Sequence, residues 1–158
     1  RRLQRETGVT VICVTHDLSD AFAISDRIAI IGGGGVVQVG EPEAIHHRPI
    51  SPYVARLAGK INIAPAVADS SALIGVRPYV IRISAGEAAG AANTATGSVV
   101  DCRLTGNGFS YVVDIGADEP WLVTSTTRER GVETGARVSL AWSDTDAMRL
   151  RPDAEVGL

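Results

Sequence analysis

Apolar and polar positions change their rhythm along this chain. Residues 9–15, Val-Thr-Val-Ile-Cys-Val-Thr, are almost all β-branched or apolar, without alternation. Such a run predicts a strand buried on both faces, in a parallel sheet covered by helices. Asp17 then suits a helix N-cap, and Asp20 adds negative charge where the helix dipole favours it. Leu18, Ala21, Phe22 and Ser25 recur at i, i+3, i+4 and i+7, the spacing of a short amphipathic helix, with Ile24 on its flank. Residues 28–31 predict the next strand, Gly32 to Gly35 a turn, and residues 36–39 the strand that returns. Pro42 fits the first turn of another helix, and Pro49 and Pro52 separate it from a last helix running to Ala58. The order strand, helix, strand, strand, helix, helix is the closing part of an α/β layer, without the strands it should pair with.

Beyond Lys60 the rhythm is all strand. Residues 73–76, 97–104, 111–115, 121–124 and 137–142 are short β-type runs. Glycine, Asn and Asp punctuate them at residues 106–108, 116–120 and 131–135, which predicts a small barrel or sandwich. Residues 85–95, rich in Ala and Gly, read as a mobile loop between two parts of it.

Composition adds exclusions. The chain has 158 residues, is 45% hydrophobic and 21% charged, and carries a formal charge of −3. That is the balance of a soluble folded protein of one domain or two small ones. No run of about 18 apolar residues exists, so a spanning helix is excluded. The opening residues, Arg1-Arg2-Leu3-Gln4-Arg5-Glu6, have no apolar core behind their charges and do not make a signal peptide. They lack an initiating Met and read as the tail of a helix, so the chain is expected to be a piece of something longer. Cys13 and Cys102 lie far apart without C-x-x-C spacing and read as buried hydrophobes, which suits the cytoplasm. Aromatics are few and the charge is weakly acidic, so a nucleic-acid interface is not expected.

Lys60 is the only lysine among 15 basic residues. A phosphate-cradling loop needs G-x-x-x-x-G-K-[ST]. Gly59 precedes Lys60, but Val54 stands where the first glycine should be and Ile61 where Ser or Thr should be. The chain cannot hold a nucleotide in a P-loop by itself.

Val14-Thr15-His16-Asp17 puts a histidine after a predicted strand and at the mouth of a helix, where α/β sheets bind ligands. On position alone, a histidine capping the helix beside Asp17 is the simpler reading. The surrounding residues carry more. V-T-H-D, then Asp20-Ala21, Ser25-Asp26-Arg27-Ile28 and Val37-Gln38-Val39-Gly40-Glu41-Pro42 resemble the end of an ABC-transporter ATPase subunit: its switch loop, next strand and following hairpin. Arg48-Pro49, Pro52-Tyr53-Val54-Ala55 and Gly59 are similar to the segment that follows in that family, and Ile74-Gly75-Val76-Arg77-Pro78 to the G-[IV]-R-P-E of its C-terminal regulatory extension. Tyr79 stands in place of that Glu.

The resemblance covers essentially the whole chain. It implies an α+β protein: the C-terminal remnant of an α/β ATPase domain over residues 1–60, then an all-β OB-like (TOBE) barrel over residues 61–158. The implied subgroup is the importer ATPases that serve sugars, polyamines, ferric iron or oxyanions. His16 is implied as the switch histidine that contacts the γ-phosphate of ATP and helps position the attacking water. ATP and Mg are implied for the intact parent only, with no cofactor and no metal expected in this fragment, which should be catalytically silent. The implied partners are transporter membrane subunits and a second ATPase subunit in a homodimer, with peripheral attachment at the cytoplasmic face of the inner membrane through those partners and no nucleic acid. The alternative is a binding module in which the barrel senses a small ligand such as an oxyanion, or an inhibitory partner, and has no catalytic role. Other signals are discounted: Gly32 to Gly35 as a hairpin turn, adjacent His46 and His47 as surface residues pointing apart, Trp121 and Trp142 as barrel core or rim, and Arg103, Arg128 and Arg130 as solvated cations.

Overall fold

Two glycines decide the first hairpin. Strands β1 (Ile28–Gly32) and β2 (Gly35–Gly40) pair antiparallel through a two-residue turn in which Gly33 and Gly34 have φ of 57° and 81°. Positive φ at both central positions is the turn whose twist matches that of paired strands, and glycine adopts it without steric cost. The computed structural model describes residues 2–66, 69–86, 92–156 and 158. By packing, the chain divides into two compact units, residues 1–59 with 151–158, and residues 60–150.

The first unit contains helices α1 (Arg2–Thr7) and α2 (Leu18–Ile24), the β1–β2 hairpin, and helices α3 (Pro42–His47) and α4 (Pro52–Leu57). Pro42 and Pro52 sit in the first turns of α3 and α4, where their missing N–H would have had no intrahelical partner. Ala21, Ile28, Ile30, Ile45, Val54 and Ala58 form its core. The tail joins this unit: the Arg151 N–H donates to the Ile50 carbonyl at 2.9 Å, and the Asp153 carboxylate accepts from the Tyr53 N–H at 3.0 Å.

The run at residues 9–15 departs from expectation. It forms no strand, and its apolar side chains are open to solvent, with Ile12 88% and Val14 94% exposed. A strand is stable only when its N–H and C=O groups find a neighbour, and no strand among the described residues pairs with this one. Cys13 is correspondingly exposed, not buried; Cys102 is half-buried, and both thiols are free.

The second unit is all strand apart from a short 3₁₀ turn at Asp144–Asp146. Strands β3 (Asn62–Ala66), β4 (Asp69–Val76) and β10 (Ala147–Leu150) form a three-stranded sheet in the order β10-β4-β3. Strands β5 (Arg82–Ser84), β6 (Asn93–Thr105), β7 (Gly108–Asp114), β8 (Trp121–Ser125) and β9 (Arg137–Trp142) form a five-stranded antiparallel sheet in the order β5-β9-β6-β7-β8. Its edge strands β5 and β8 contact one another, so the sheet curls back on itself. The core comprises Val76, Ile81, Ile83, Val99, Tyr111, Val113, Trp121, Val123, Val132, Val138, Leu140 and Trp142. Trp121 and Trp142 lie in this core with ring centroids 5.1 Å apart. Residues 93–95 of the expected loop belong to β6, while residues 87–91 lie outside the described residues.

The long strand β6 makes the curl possible. Residues 93–98 pair with β9 and residues 98–105 with β7, so the strand passes from one neighbour to the other. A bulge between Val99 and Asp101 leaves Val100 half-exposed while Val99 stays buried. Gly97 lies where a Cβ would collide with the Asp114 carbonyl oxygen. Gly97→Ala therefore forces the backbones apart and should lower stability by roughly 1–3 kcal/mol. Gly106, whose Cβ would meet nothing within 4 Å, is the control. Gly106→Ala should stay within about 0.5 kcal/mol in the same urea titration.

Candidate functional site

The histidine sits between local turns that the flanking side chains build. The Thr15 hydroxyl accepts from the Asp17 N–H at 3.0 Å. The Asp17 carboxylate in turn accepts from the N–H groups of Ser19 at 2.8 Å and Asp20 at 3.4 Å. Thr and Asp in this spacing make side-chain turns and caps because a short oxygen reaches N–H groups two and three residues ahead. The helix cap read from Asp17 is thus present, which leaves the His16 imidazole free of that duty. His16 lies on the bend between them and is exposed. What the arrangement offers is a ring nitrogen held at the entrance of α2, able to donate to an anion or a water.

Farther along, Gln38 acts as a clamp. Its amide nitrogen donates to the Arg48 carbonyl at 3.0 Å, and its amide oxygen accepts from the Ile50 N–H at 3.0 Å. One side chain thereby completes backbone groups that flank Pro49. Tyr53 donates its hydroxyl to the Ile31 carbonyl at 2.9 Å, tying α4 to β1. These positions are structural in their geometry: Gln38 completes backbone groups between α3 and α4, and Tyr53 one at the edge of the hairpin.

The Gly75-Val76-Arg77-Pro78 segment is buried throughout, and Arg77 is only 1% exposed. Its Nη1 donates to the Lys60 carbonyl at 3.1 Å. Burial pushes the Arg77 guanidinium down from its ordinary range by removing water from the charge, and the neighbouring Tyr79 opposes that shift. The Pro78 carbonyl accepts from the Thr124 N–H at 3.1 Å, so this segment is fastened to β8. Tyr79 itself is exposed.

His46 and His47 do not point apart: their rings meet edge to face at 4.8 Å, and His46 also lies against Phe22 at 6.0 Å, with its Nδ1 3.1 Å from the Ala58 carbonyl. Arg103 pairs with Asp101, and Arg128 lies 3.8 Å from Glu133, both pairs largely exposed. Among the described residues no group of three or more His, Cys, Asp or Glu side chains gathers to hold a metal ion. No described helix is long and apolar enough to cross a membrane.

Comparison with known proteins bears on the whole chain. The TOBE domain family matches residues 74–150. The spermidine/putrescine import ATP-binding protein PotA of Nitratidesulfovibrio vulgaris is 46% identical over 67 residues, covering 42% of this chain and 18% of that protein. The protein of the same name from Oleidesulfovibrio alaskensis is 46% identical over 63 residues, or 40% of this chain and 17% of the relative. That of Bacillus thuringiensis is 30% identical over 152 residues, covering 95% of this chain and 46% of the relative. The chain spans less than half the length of these relatives.

Two substitutions test the local geometry. Asp17→Ala removes the acceptor for two N–H groups and should cost about 1 kcal/mol, seen as faster amide exchange at Ser19 and Asp20. Arg77→Ala empties a buried site and strips the Lys60 carbonyl of a donor. It should lower stability in urea by roughly 2–5 kcal/mol.

Proposed function

We propose that this chain, which carries a TOBE domain and is similar over 95% of its length to an ATP-binding import protein, is the C-terminal part of the ATP-binding subunit of an ABC importer and serves in coupling ATP binding and hydrolysis to solute uptake. In this reading residues 1–60 close an ATPase domain, and residues 61–158 form an OB-like regulatory barrel. The observation that carries it is the Thr15-His16-Asp17 turn, in a chain related to such ATP-binding proteins over 95% of its length. Phosphoryl transfer depends mainly on positioning and charge stabilisation. A histidine whose flanking residues are both engaged in backbone turns presents its N–H from a defined place. We assign His16 the task of donating to a terminal phosphoryl oxygen and orienting the attacking water.

The chain's own residues do not compose a nucleotide site. Lys60 lacks the glycine and hydroxyl residues of a P-loop, and no described acidic cluster suits a metal. In this reading ATP and Mg are held by the intact parent, and His16 is the residue of this chain that would reach the bound phosphate. The proposed partners are the membrane subunits of the importer and a second ATPase subunit, with peripheral attachment at the cytoplasmic face. Spermidine and putrescine are the solutes in the relatives' names.

The test uses the longer gene product reconstituted with its membrane subunits. His16→Ala should lower ATP turnover by about 100-fold or more while nucleotide affinity changes little, as expected for a group acting on the transition state. Turnover equal to that of the unmodified protein would remove His16 from the mechanism. The 158-residue chain alone should hydrolyse ATP no faster than buffer.

A further inference from the structure

The second unit holds an open cleft of about 980 Å³, lined from edge strands β5 and β8, the tip of the β6–β7 hairpin, and Lys60. Its lining is unusual in this chain. It contains the single lysine, Lys60, together with Arg82, and both are exposed side chains without an ion pair among the described residues. Against them stands one carboxylate, Glu129, whose Oε1 already accepts from the Ser125 hydroxyl at 2.8 Å. The formal balance in the cleft is positive, while the chain as a whole carries −3.

The wall is built for polar contact. Ser110 and Thr124 lie directly opposite each other on β7 and β8, and both reach the cleft together with Asn107. The floor is apolar, from Ile81 and Ile83. The buried segment around Arg77 positions the site. Arg77 fixes the Lys60 carbonyl, so the lysine stem starts from a defined point, and the bond from Thr124 to Pro78 holds the β8 wall against Tyr79.

We propose that this cleft binds a small organic anion bearing several hydroxyl groups, such as a phosphorylated or carboxylated polyol. Lys60 and Arg82 take the anionic head, since charge-assisted hydrogen bonds are the stronger ones. The hydroxyls donate to Glu129 and exchange hydrogen bonds with Ser110, Thr124 and Asn107. Glu129 is what separates this ligand class from a fully deprotonated oxyanion such as sulfate, which has no proton to give that carboxylate and is repelled by it; inorganic phosphate has a proton to give but no polyol body to reach Ser110, Thr124 and Asn107. The two cations exclude a polyamine by the same reasoning. The size is that of a pocket for a small metabolite, much larger than one tetrahedral ion. The inference deepens the ligand-sensing reading of the barrel and is independent of ATP hydrolysis.

Calorimetry on the full chain, with glucose 6-phosphate, gluconate, neutral glucose, inorganic phosphate and spermidine as probes, tests it. The expected result is saturable binding of glucose 6-phosphate or gluconate, weakened about tenfold in each of Lys60→Gln and Arg82→Gln. Both side chains are exposed, so these variants keep the fold, and amide spectra confirm it. Thr124→Val should weaken the polyol anion more than inorganic phosphate. The proposal is overturned by an absence of saturable binding at millimolar probe, by binding unchanged in the variants, or by spermidine, glucose or inorganic phosphate binding as tightly as the polyol anions. A failure here would leave ATP turnover and its dependence on His16 untouched.

Discussion

Every backbone N–H and C=O taken out of water must find a partner, and in this protein that requirement separates what folds from what stays open. Leaving such a group buried and unpaired costs about 1–3 kcal/mol, comparable to a large share of a small domain's stability. The second unit meets the requirement through the ladders that join β5, β9, β6, β7 and β8 in turn, in a sheet curled until its edges β5 and β8 come close. Residues 9–15 are the counter-example: their composition is as strand-like as any in the chain, yet among the described residues they join no sheet and stay exposed. Their side chains have no apolar surface to meet, because the neighbour that would bring it is also the neighbour that would satisfy the backbone.

Where strands and helices end, side chains stand in for the missing partners. Asp17 and Thr15 do so ahead of α2, and Gln38 around Pro49. In the second unit Asn62 serves β8 through both its amide atoms, donating to the Leu122 carbonyl at 2.8 Å and accepting from the Leu122 N–H at 2.7 Å. The Tyr111 hydroxyl accepts from the Glu129 N–H at 2.9 Å, and Arg77 donates to Lys60. Several of these positions are the ones that made the chain's motifs conspicuous. Their side chains are specified by a hydrogen-bond geometry that few other residues can meet, whereas an apolar core position accepts any side chain of similar volume.

Much of the local structure was legible for the same reason. The hairpin at Gly33 and Gly34, the Asp17 cap, the prolines opening α3 and α4, and the five longer β runs each depend on residues within a few positions of one another. Strands β3, β5 and β10 were not legible. β3 contains Pro65, β5 has only three residues, and β10 has four. Their existence depends on partners remote in sequence, as in the pairing of Asn62 with Val76 and of Ala147 with that same residue. The candidate site divides in the same way. His16 could be found from its flanking motif, while Lys60, Arg82 and Glu129 carry no spacing that announces a shared cleft.

The sequence by itself determined the turns, the helix caps, the absence of a P-loop and the family that the chain resembles. All of these rest on residue types at short, fixed separations. Only the tertiary structure decided that residues 9–15 join no sheet among the described residues, that the tail from Arg151 returns to the first unit, and that a lysine and an arginine without an ion pair among the described residues face one cleft. The physical reason is that a hydrogen-bond ladder or a charged pocket belongs to pairs of distant segments. Local composition sets what each segment can offer, and folding determines which of those offers are met.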